Sequence, residues 1–109
     1  MPITPKVLGQ LNPVATVLSD LYTCPASRNT TISTLFVCNF GTTPAKFRVM
    51  VAVGGAADDP KQRLFFDVDI SANNVLPITS GITMSATDVL RVQANTANVS
   101  FNAFGIEKT

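Results

Sequence analysis

Short runs of β-branched and aromatic residues, separated by turn-forming residues, constrain the fold of this sequence more than any other feature. No stretch sustains the apolar periodicity of an amphipathic helix, and runs of this kind are typical of strands. Glycine, proline, asparagine and aspartate interrupt them at intervals that suit turns. The sequence therefore predicts an all-β chain, with strands near residues 14–23, 30–40, 45–53, 63–70, 74–79, 87–95 and 98–106.

The number and spacing of these runs predict a single β-sandwich or jelly-roll-like domain of seven to eight antiparallel strands. The chain has 109 residues, which is enough for one domain and too few for two. Strict alternation is clearest in one predicted strand, whose expected core-face residues are Phe47, Val49, Val51 and Val53. The segment 32–38 is apolar on both faces toward its end, which predicts a strand that is central in its sheet or covered on both sides.

Residues 1–13 differ from the remainder of the chain. Pro2, Pro5 and Pro13 hold the backbone extended and remove hydrogen-bond donors. We therefore predict an extended N-terminal arm over residues 1–13, followed by the sandwich domain over 14–109. Two interpretations of the arm stay open: a loosely attached terminus, and a segment that lies along a neighbouring subunit.

The charge content excludes several functional classes. Only 14% of the residues are charged, against about 25% in an average domain, and the net charge of +1 offers no basic surface for nucleic acid. The sequence has no histidine, so it contains no Ser-His-Asp or Cys-His pair and no histidine zinc ligand. Two cysteines cannot complete a four-cysteine cluster. We expect neither an enzyme nor a cofactor or metal protein.

The N-terminal sequence lacks the apolar core and cleavage site of a secretory signal, and no apolar run approaches the ~20 residues of a membrane span. We therefore expect no membrane partner and a protein held in a reducing cytoplasm until it is released. Cys24 and Cys38 fall near the opposite ends of successive strands, which predicts two free, largely buried thiols.

One pair of carboxylates has two interpretations. Asp67 and Asp69 are two residues apart on a predicted strand, so they share a face and together resemble a cation site. They also alternate with Phe66, Val68 and Ile70, as polar residues do on the solvated face of a half-buried strand. We favour the solvated face.

The composition of the remaining surface indicates subunit contacts. Thr, Ser, Asn and Ala occupy positions where a monomer would carry Lys and Glu, and protein interfaces are depleted in those charged residues. The arm, the alternating strand with Met50 on its second face, and the loop rich in turn residues at 54–61 are the candidate contacts. The predicted interface residues are Pro5, Val7, Leu8, Gln10, Arg48, Met50, Asp58, Asp59 and Lys61.

Several stretches resemble small structural proteins of tailed bacteriophages, and together they extend over nearly the whole chain. They contain strand and turn residues, with no catalytic signature among them. The stretches are Val7-Leu8-Gly9-Gln10, Pro13-Val14-Ala15-Thr16, Asp20-Leu21-Tyr22-Thr23, Pro25-Ala26-Ser27, Phe36-Val37-Cys38-Asn39, Gly54-Gly55-Ala56-Ala57-Asp58, Asp67-Val68, Ala86-Thr87-Asp88-Val89-Leu90-Arg91-Val92 and Val99-Ser100-Phe101-Asn102-Ala103-Phe104-Gly105.

The resemblance implies a component of a virion, made in the cytoplasm of the host bacterium. Within that class we expect a non-enzymatic capsid decoration (cement) protein. It would self-associate, with a trimer favoured, and bind the major capsid protein or other virion proteins between coat subunits. The alternative is a tail or tail-fibre component that contacts the host surface. The resemblance transfers no functional residue, so the interface residues above come from the pattern alone.

Overall fold

Alternating apolar residues build two antiparallel sheets, which pack face to face as a β-sandwich. The computed structural model describes residues 3–109, and that part of the chain measures 45 × 27 × 20 Å along its principal axes. It contains nine strands and two short 3₁₀ turns, Val53–Gly55 and Pro60–Gln62. The strands are β1 (Ile3–Leu11), β2 (Ser19–Thr23), β3 (Asn29–Asn39), β4 (Ala45–Ala52), β5 (Arg63–Ile70), β6 (Asn74–Ile78), β7 (Ile82–Met84), β8 (Val89–Ala94) and β9 (Val99–Lys108).

Sheet I contains five strands, in the order β1-β9-β3-β6, with β7 also paired to β3. The long central strand β3 pairs with β9 along its whole length. Its other edge is shared, because β7 pairs with Thr30–Ile32 and β6 pairs with Leu35–Asn39. Sheet II contains four strands, in the order β2-β8-β4-β5.

The inward faces of the two sheets form one core. Phe47 of sheet II lies with its ring centroid 6.2 Å from that of Phe101 of sheet I, in an edge-to-face arrangement that aromatic pairs favour. The fully buried residues around this pair include Leu35, Val49 and Leu90. The core thus joins β3 and β9 to β4 and β8, the central strands of each sheet.

Two glycines allow backbones to approach more closely than side chains would permit. A Cβ atom at Gly9 would overlap the carbonyl oxygen of Leu21, so β1 passes directly against β2 and closes one side of the sandwich. A Cβ atom at Gly105 would overlap the carbonyl oxygen of Thr31 across the β3–β9 ladder. The β3–β9 register shifts beside this contact, between Ile32 and Thr34.

The all-β prediction is confirmed, and each predicted strand overlaps a strand of the structure. The two additional strands are β1 and the three-residue β7. Most of the predicted arm is extended as β1, and it pairs with β9 of its own chain; Met1 and Pro2 lie outside the described residues.

The alternation in the third predicted strand misplaces Val53 and does not predict the burial of Met50. Val53, expected in the core, is 73% exposed because the strand ends at Ala52 and Val53 begins a 3₁₀ turn. Met50 lies on the second face, as predicted, but it is 1% exposed within its own chain. A two-residue period locates faces within a strand, but it reports neither where the strand ends nor what covers its second face.

Candidate functional site

The outer face of sheet I carries no charged side chain across most of its described area. Cross-strand partners share a face, so the ladders and the alternation of buried and exposed residues identify its members. In chain order they are Pro5, Val7, Gln10, Thr31, Thr34, Phe36, Cys38, Val75, Pro77, Thr83, Ser100, Asn102, Phe104 and Ile106. We call this surface the uncharged face. Lys108 lies beyond its end, paired with Ile3 and Asn29.

Aromatic and aliphatic side chains form the centre of the uncharged face. The rings of Phe36 and Phe104 meet edge to face at 5.7 Å between centroids. Val7 is the ladder partner of Phe104 and is 47% exposed, while Val75 on the far edge is 49% exposed. Exposed apolar residues that adjoin one another, rather than being scattered singly, mark surfaces that bind other molecules.

The outer face of sheet II has the opposite character, because it carries four ion pairs. We call it the ion-paired face. The pairs join Lys46 to Asp69 at 2.6 Å, Arg48 to Asp67 at 2.7 Å, Arg91 to Asp20 at 3.0 Å, and Arg63 to Asp58 at 3.6 Å. Most of these side chains remain in contact with water, so each pair contributes little to stability. The few charged residues of the sequence are therefore concentrated on this side of the sandwich.

The two aspartates that resembled a cation site belong to this face. The guanidinium of Arg48 donates to both carboxylate oxygens of Asp67, and this contact lowers the pKa of Asp67. The ammonium of Lys46 donates to Asp69. Both carboxylates are therefore solvated and paired with cations of the neighbouring strand. In the described residues no group of three or more Cys, Asp or Glu is placed to hold a metal ion.

The loop between β4 and β5 folds back along the ion-paired face. Two guanidinium nitrogens of Arg91 donate hydrogen bonds, one to the carbonyl of Ala56 and the other to the carbonyl of Gly55. The amide of Gln62 donates to the carbonyl of Ala57, at the other end of the loop. Met50 is the ladder partner of Arg91, so the loop lies beside it. Met50 is consequently enclosed by its own chain.

The structure distributes the predicted interface residues over opposite sides of the molecule. Pro5, Val7 and Gln10 are exposed on the uncharged face, while Leu8 packs partly against the core. Of the two predicted residues in β4, Arg48 is half-buried on the ion-paired face and Met50 is buried. The three loop residues Asp58, Asp59 and Lys61 are all exposed. The nine residues therefore do not form one site.

A buried polar cluster joins the two sheets at the closed side of the sandwich. The Tyr22 hydroxyl donates to Glu107 at 2.6 Å, so it accepts from the hydroxyl of Thr30 at 2.7 Å. Arg28 and Lys6 approach the other oxygen of Glu107, at 2.8 and 3.4 Å. Glu107 is 3% exposed. The cluster satisfies a buried carboxylate with three partners, which is the condition for tolerating one.

These contacts shift both titrating groups in the cluster. The hydrogen bond from Tyr22 lowers the pKa of Glu107, helped by Arg28 and Lys6 and opposed by burial. Burial and the adjacent carboxylate raise the pKa of Tyr22 far above its ordinary value. No spacing in the sequence signalled this cluster, because its members come from β1, β2, β3 and β9. The one glutamate of the sequence, near the end of the final strand, was the available hint.

The side of the sandwich opposite β1 and β2 is open. Val51, Leu64, Phe65 and Ile82 line a cleft of about 410 Å³ there, between β5 of sheet II and β7 of sheet I. An adjoining hollow of about 440 Å³ lies under the β4–β5 loop and shares Val51. The cleft contains no ionisable side chain from the described residues.

The remaining observations concern thiols and membranes. Cys24 is buried at the end of β2, and its thiol lies 3.2 Å from the Thr30 hydroxyl. Cys38 is half-buried on the uncharged face, and both cysteines are free. Neither 3₁₀ turn among residues 3–109 has the length or apolar character that a membrane-spanning helix needs.

No known protein family matches the sequence, and no curated protein does. Among solved structures, two crystal structures of a pentameric capsid protein isolated from metagenomic phage sequences align with 98% of this chain. Their sequence identities are 14% and 15%, and their TM-scores are 0.41 and 0.42. The chain spans 61% of each of those proteins. Similarity this low carries no argument about function.

Proposed function

We propose that this chain is a non-enzymatic structural protein of a phage virion, and within that class a capsid decoration (cement) protein. The uncharged face carries the proposal. A sheet face that exposes Phe36, Val7 and Val75 without a charged neighbour among the described residues suits a surface that other subunits cover. The resemblance of the sequence to small virion proteins of tailed phages supports the choice of particle.

The mechanism would be mass action. A protein that binds the assembled shell and not its separated subunits stabilises the shell by an amount that grows with occupancy. A stable contact of this kind buries at least about 1,000 Å². The chemistry needs only shape and apolar area, which agrees with a sequence that contains no histidine.

The predicted interface residues remain candidates for two different contacts. Pro5, Val7 and Gln10 would act on the uncharged face. Asp58, Asp59 and Lys61 would contact a coat subunit from the opposite side, where the loop between β4 and β5 is exposed. Exposed loops on rigid β scaffolds are frequent sites of such contacts.

The deciding experiment is to locate the chain in an electron-microscopy map of the intact virion. Density at junctions between coat subunits is the expected result. Density on the tail would overturn the decoration role in favour of a tail or tail-fibre component that touches the host. Absence from the particle would overturn the virion assignment altogether.

A charge-reversal pair tests the loop contact. Lys61→Glu alters an exposed side chain for which no ion pair exists among the described residues, so the fold should not change. The matched control is Lys108→Glu, exposed at the end of β9. We expect Lys61→Glu alone to lower occupancy on purified capsids by roughly tenfold, the effect of about 1.4 kcal/mol. Equal occupancy of the two variants would exclude the loop as the docking element.

A further inference from the structure

We propose that two copies of this chain associate face to face through the uncharged face of sheet I. The inference rests on the proposed role in an assembly and adds to it the identity of the subunit that covers this face. The partner is a second copy of the same chain, and the contact is isologous: the same residues meet their counterparts across a twofold axis.

The first argument is the make-up of the face. Interface cores are rich in aromatic residues and poor in Lys, Glu and Asp. Phe36 and Phe104 lie together near the middle of the uncharged face, with Thr34 beside Phe104 in the ladder. Uncharged side chains surround them, and their ladder partners are Val7, Thr34, Pro77 and Asn102. The face is therefore organised like an interface centre, with two aromatic anchors and no charge to desolvate.

The second argument decides which surface is the complement. If the uncharged face of one copy covered the ion-paired face of another, it would strip water from the charged pairs around Arg48, Arg91 and Lys46. That desolvation is costly, and an apolar partner returns nothing for it. Two uncharged faces in contact place no charge in a dry environment. Of the two sheet faces, only the uncharged face complements itself.

The third argument is area. Four strand positions about 4.8 Å apart and about nine residues long outline a face of roughly 570 Å² per copy, so two fully overlapping faces bury about 1,100 Å² of this outline. Corrugation by side chains adds to this outline. The total reaches the lower end of stable interfaces. The sandwich offers enough area for a dimer without any movement of its backbone.

Cys38 supplies an internal probe of the contact. It is half-buried on the uncharged face, whereas Cys24 is 1% exposed in the interior. A thiol reagent applied to the folded protein should therefore modify Cys38 alone. In a face-to-face dimer the second copy would cover Cys38, and its modification rate would fall as protein concentration rises.

Thr34→Lys is the principal test, because it places an ammonium in the middle of the uncharged face. Thr23→Lys is the matched control, since Thr23 is exposed on the opposite sheet. Mass by light scattering should show a wild-type dimer and an unchanged dimer for Thr23→Lys. For Thr34→Lys the dissociation constant should rise by roughly 100-fold or more, because like charges would face each other. If Thr34→Lys fails to fold, Val7→Lys at the exposed edge of the same face replaces it.

Each outcome separates this inference from the proposed function. A wild-type monomer at all concentrations, or a trimer with Cys38 fully reactive, would overturn the face-to-face dimer and leave capsid binding to be judged by microscopy. A dimer that Thr34→Lys does not weaken would also overturn it. A dimer sensitive to Thr34→Lys but absent from virions would uphold the contact and overturn the decoration role.

Discussion

Single residues decide how closely the strands of this sandwich approach one another. Glycine is required at Gly9 and Gly105 because a neighbouring carbonyl occupies the position of a Cβ atom. Gly54 and Gly81 are different. Their φ angles are positive, 64° and 69°, and a Cβ atom at either position would meet no neighbouring atom within 4 Å. The first pair has a steric role and the second a conformational one, and substitutions should distinguish them.

Gly105→Ala should destabilise the fold by about 3 kcal/mol, at the upper end of the cost of overpacking. The new methyl group would overlap the Thr31 carbonyl and force the β3–β9 ladder apart. Gly81→Ala is the control and should cost about 1 kcal/mol, the penalty of a positive φ without a clash. Chemical denaturation measures both. Equal costs for the two variants would refute the steric role.

Glu107 should make the free energy of unfolding depend on pH in the acidic range. Its pKa is lowered in the folded protein, so its contribution is present above the ordinary value of about 4.3 and is lost as pH falls through the folded value. Glu107→Gln should cost about 2 kcal/mol near neutral pH and flatten the decline below pH ~4.3. Denaturation at several pH values measures the slope. Asp69→Asn, which alters a highly exposed carboxylate, is the control; a slope for Glu107→Gln equal to that of wild type would contradict the role of Glu107.

Tyr22 should report its own burial, since it is the single tyrosine of the chain and there is no tryptophan. Its raised pKa means that the contribution of the neutral phenol is fully present below the unfolded value of about 10 and is lost at higher pH. Tyrosinate absorbance should therefore appear together with loss of β structure by circular dichroism. Ionisation near pH 10 with the fold intact would show that the phenol is not held in the cluster.

At the level of elements, the strands differ in how their edges are protected. β1 carries Pro5, Lys6 and a register shift, all of which discourage pairing with another chain. β6 carries Pro77, and β7 is three residues long. The β4–β5 loop is held against the ion-paired face by side-chain hydrogen bonds rather than by a ladder. The loop is therefore held in place by fewer contacts than the strands are.

Arg91→Lys should release the β4–β5 loop without unfolding the sandwich. A lysine cannot reproduce the contacts that the guanidinium makes with Gly55, Ala56 and Asp20. We expect amide exchange in residues 54–62 to accelerate about tenfold, with a loss of global stability below about 1.5 kcal/mol. Arg48→Lys on the same face is the control, because Arg48 pairs with Asp67 of β5 rather than with a residue of the loop. If amide exchange in the loop of Arg91→Lys proceeds at the wild-type rate, other contacts hold the loop.

At the level of the whole molecule, the sandwich has two unlike faces and two unlike sides. One face is uncharged and the other is ion-paired; one side is closed by β1 and β2 and the other opens into a cleft. A net charge of +1 leaves little long-range repulsion between copies. Association should thus depend on the apolar face and respond weakly to salt.

The proposed dimer should make thermal stability depend on concentration. Subunits that bind only when folded raise the unfolding midpoint as concentration increases. We expect the wild-type midpoint to rise by several degrees over a hundredfold increase in protein, at both low and high salt. Thr34→Lys should remove that dependence. A midpoint that is independent of concentration in the wild type would contradict the dimer.

The sequence alone determined the fold class, because β-branched runs and turn residues are local properties that strands and turns require directly. It also predicted that the strand at 32–38 is central in its sheet or covered on both sides, and the structure places β3 between β9 and the pair β6 and β7. It excluded histidine chemistry outright.

Only the tertiary structure decided where the few charged residues lie and which surface is left without them. Which strands become neighbours is a long-range property, so the segregation of charge onto sheet II was invisible in a list of residues. For the same reason the sequence did not show that Met50 is buried beside Arg91 of β8, or that Glu107 contacts Tyr22 from the far end of the chain. Periodicity reports the face of a strand, while packing decides what that face meets.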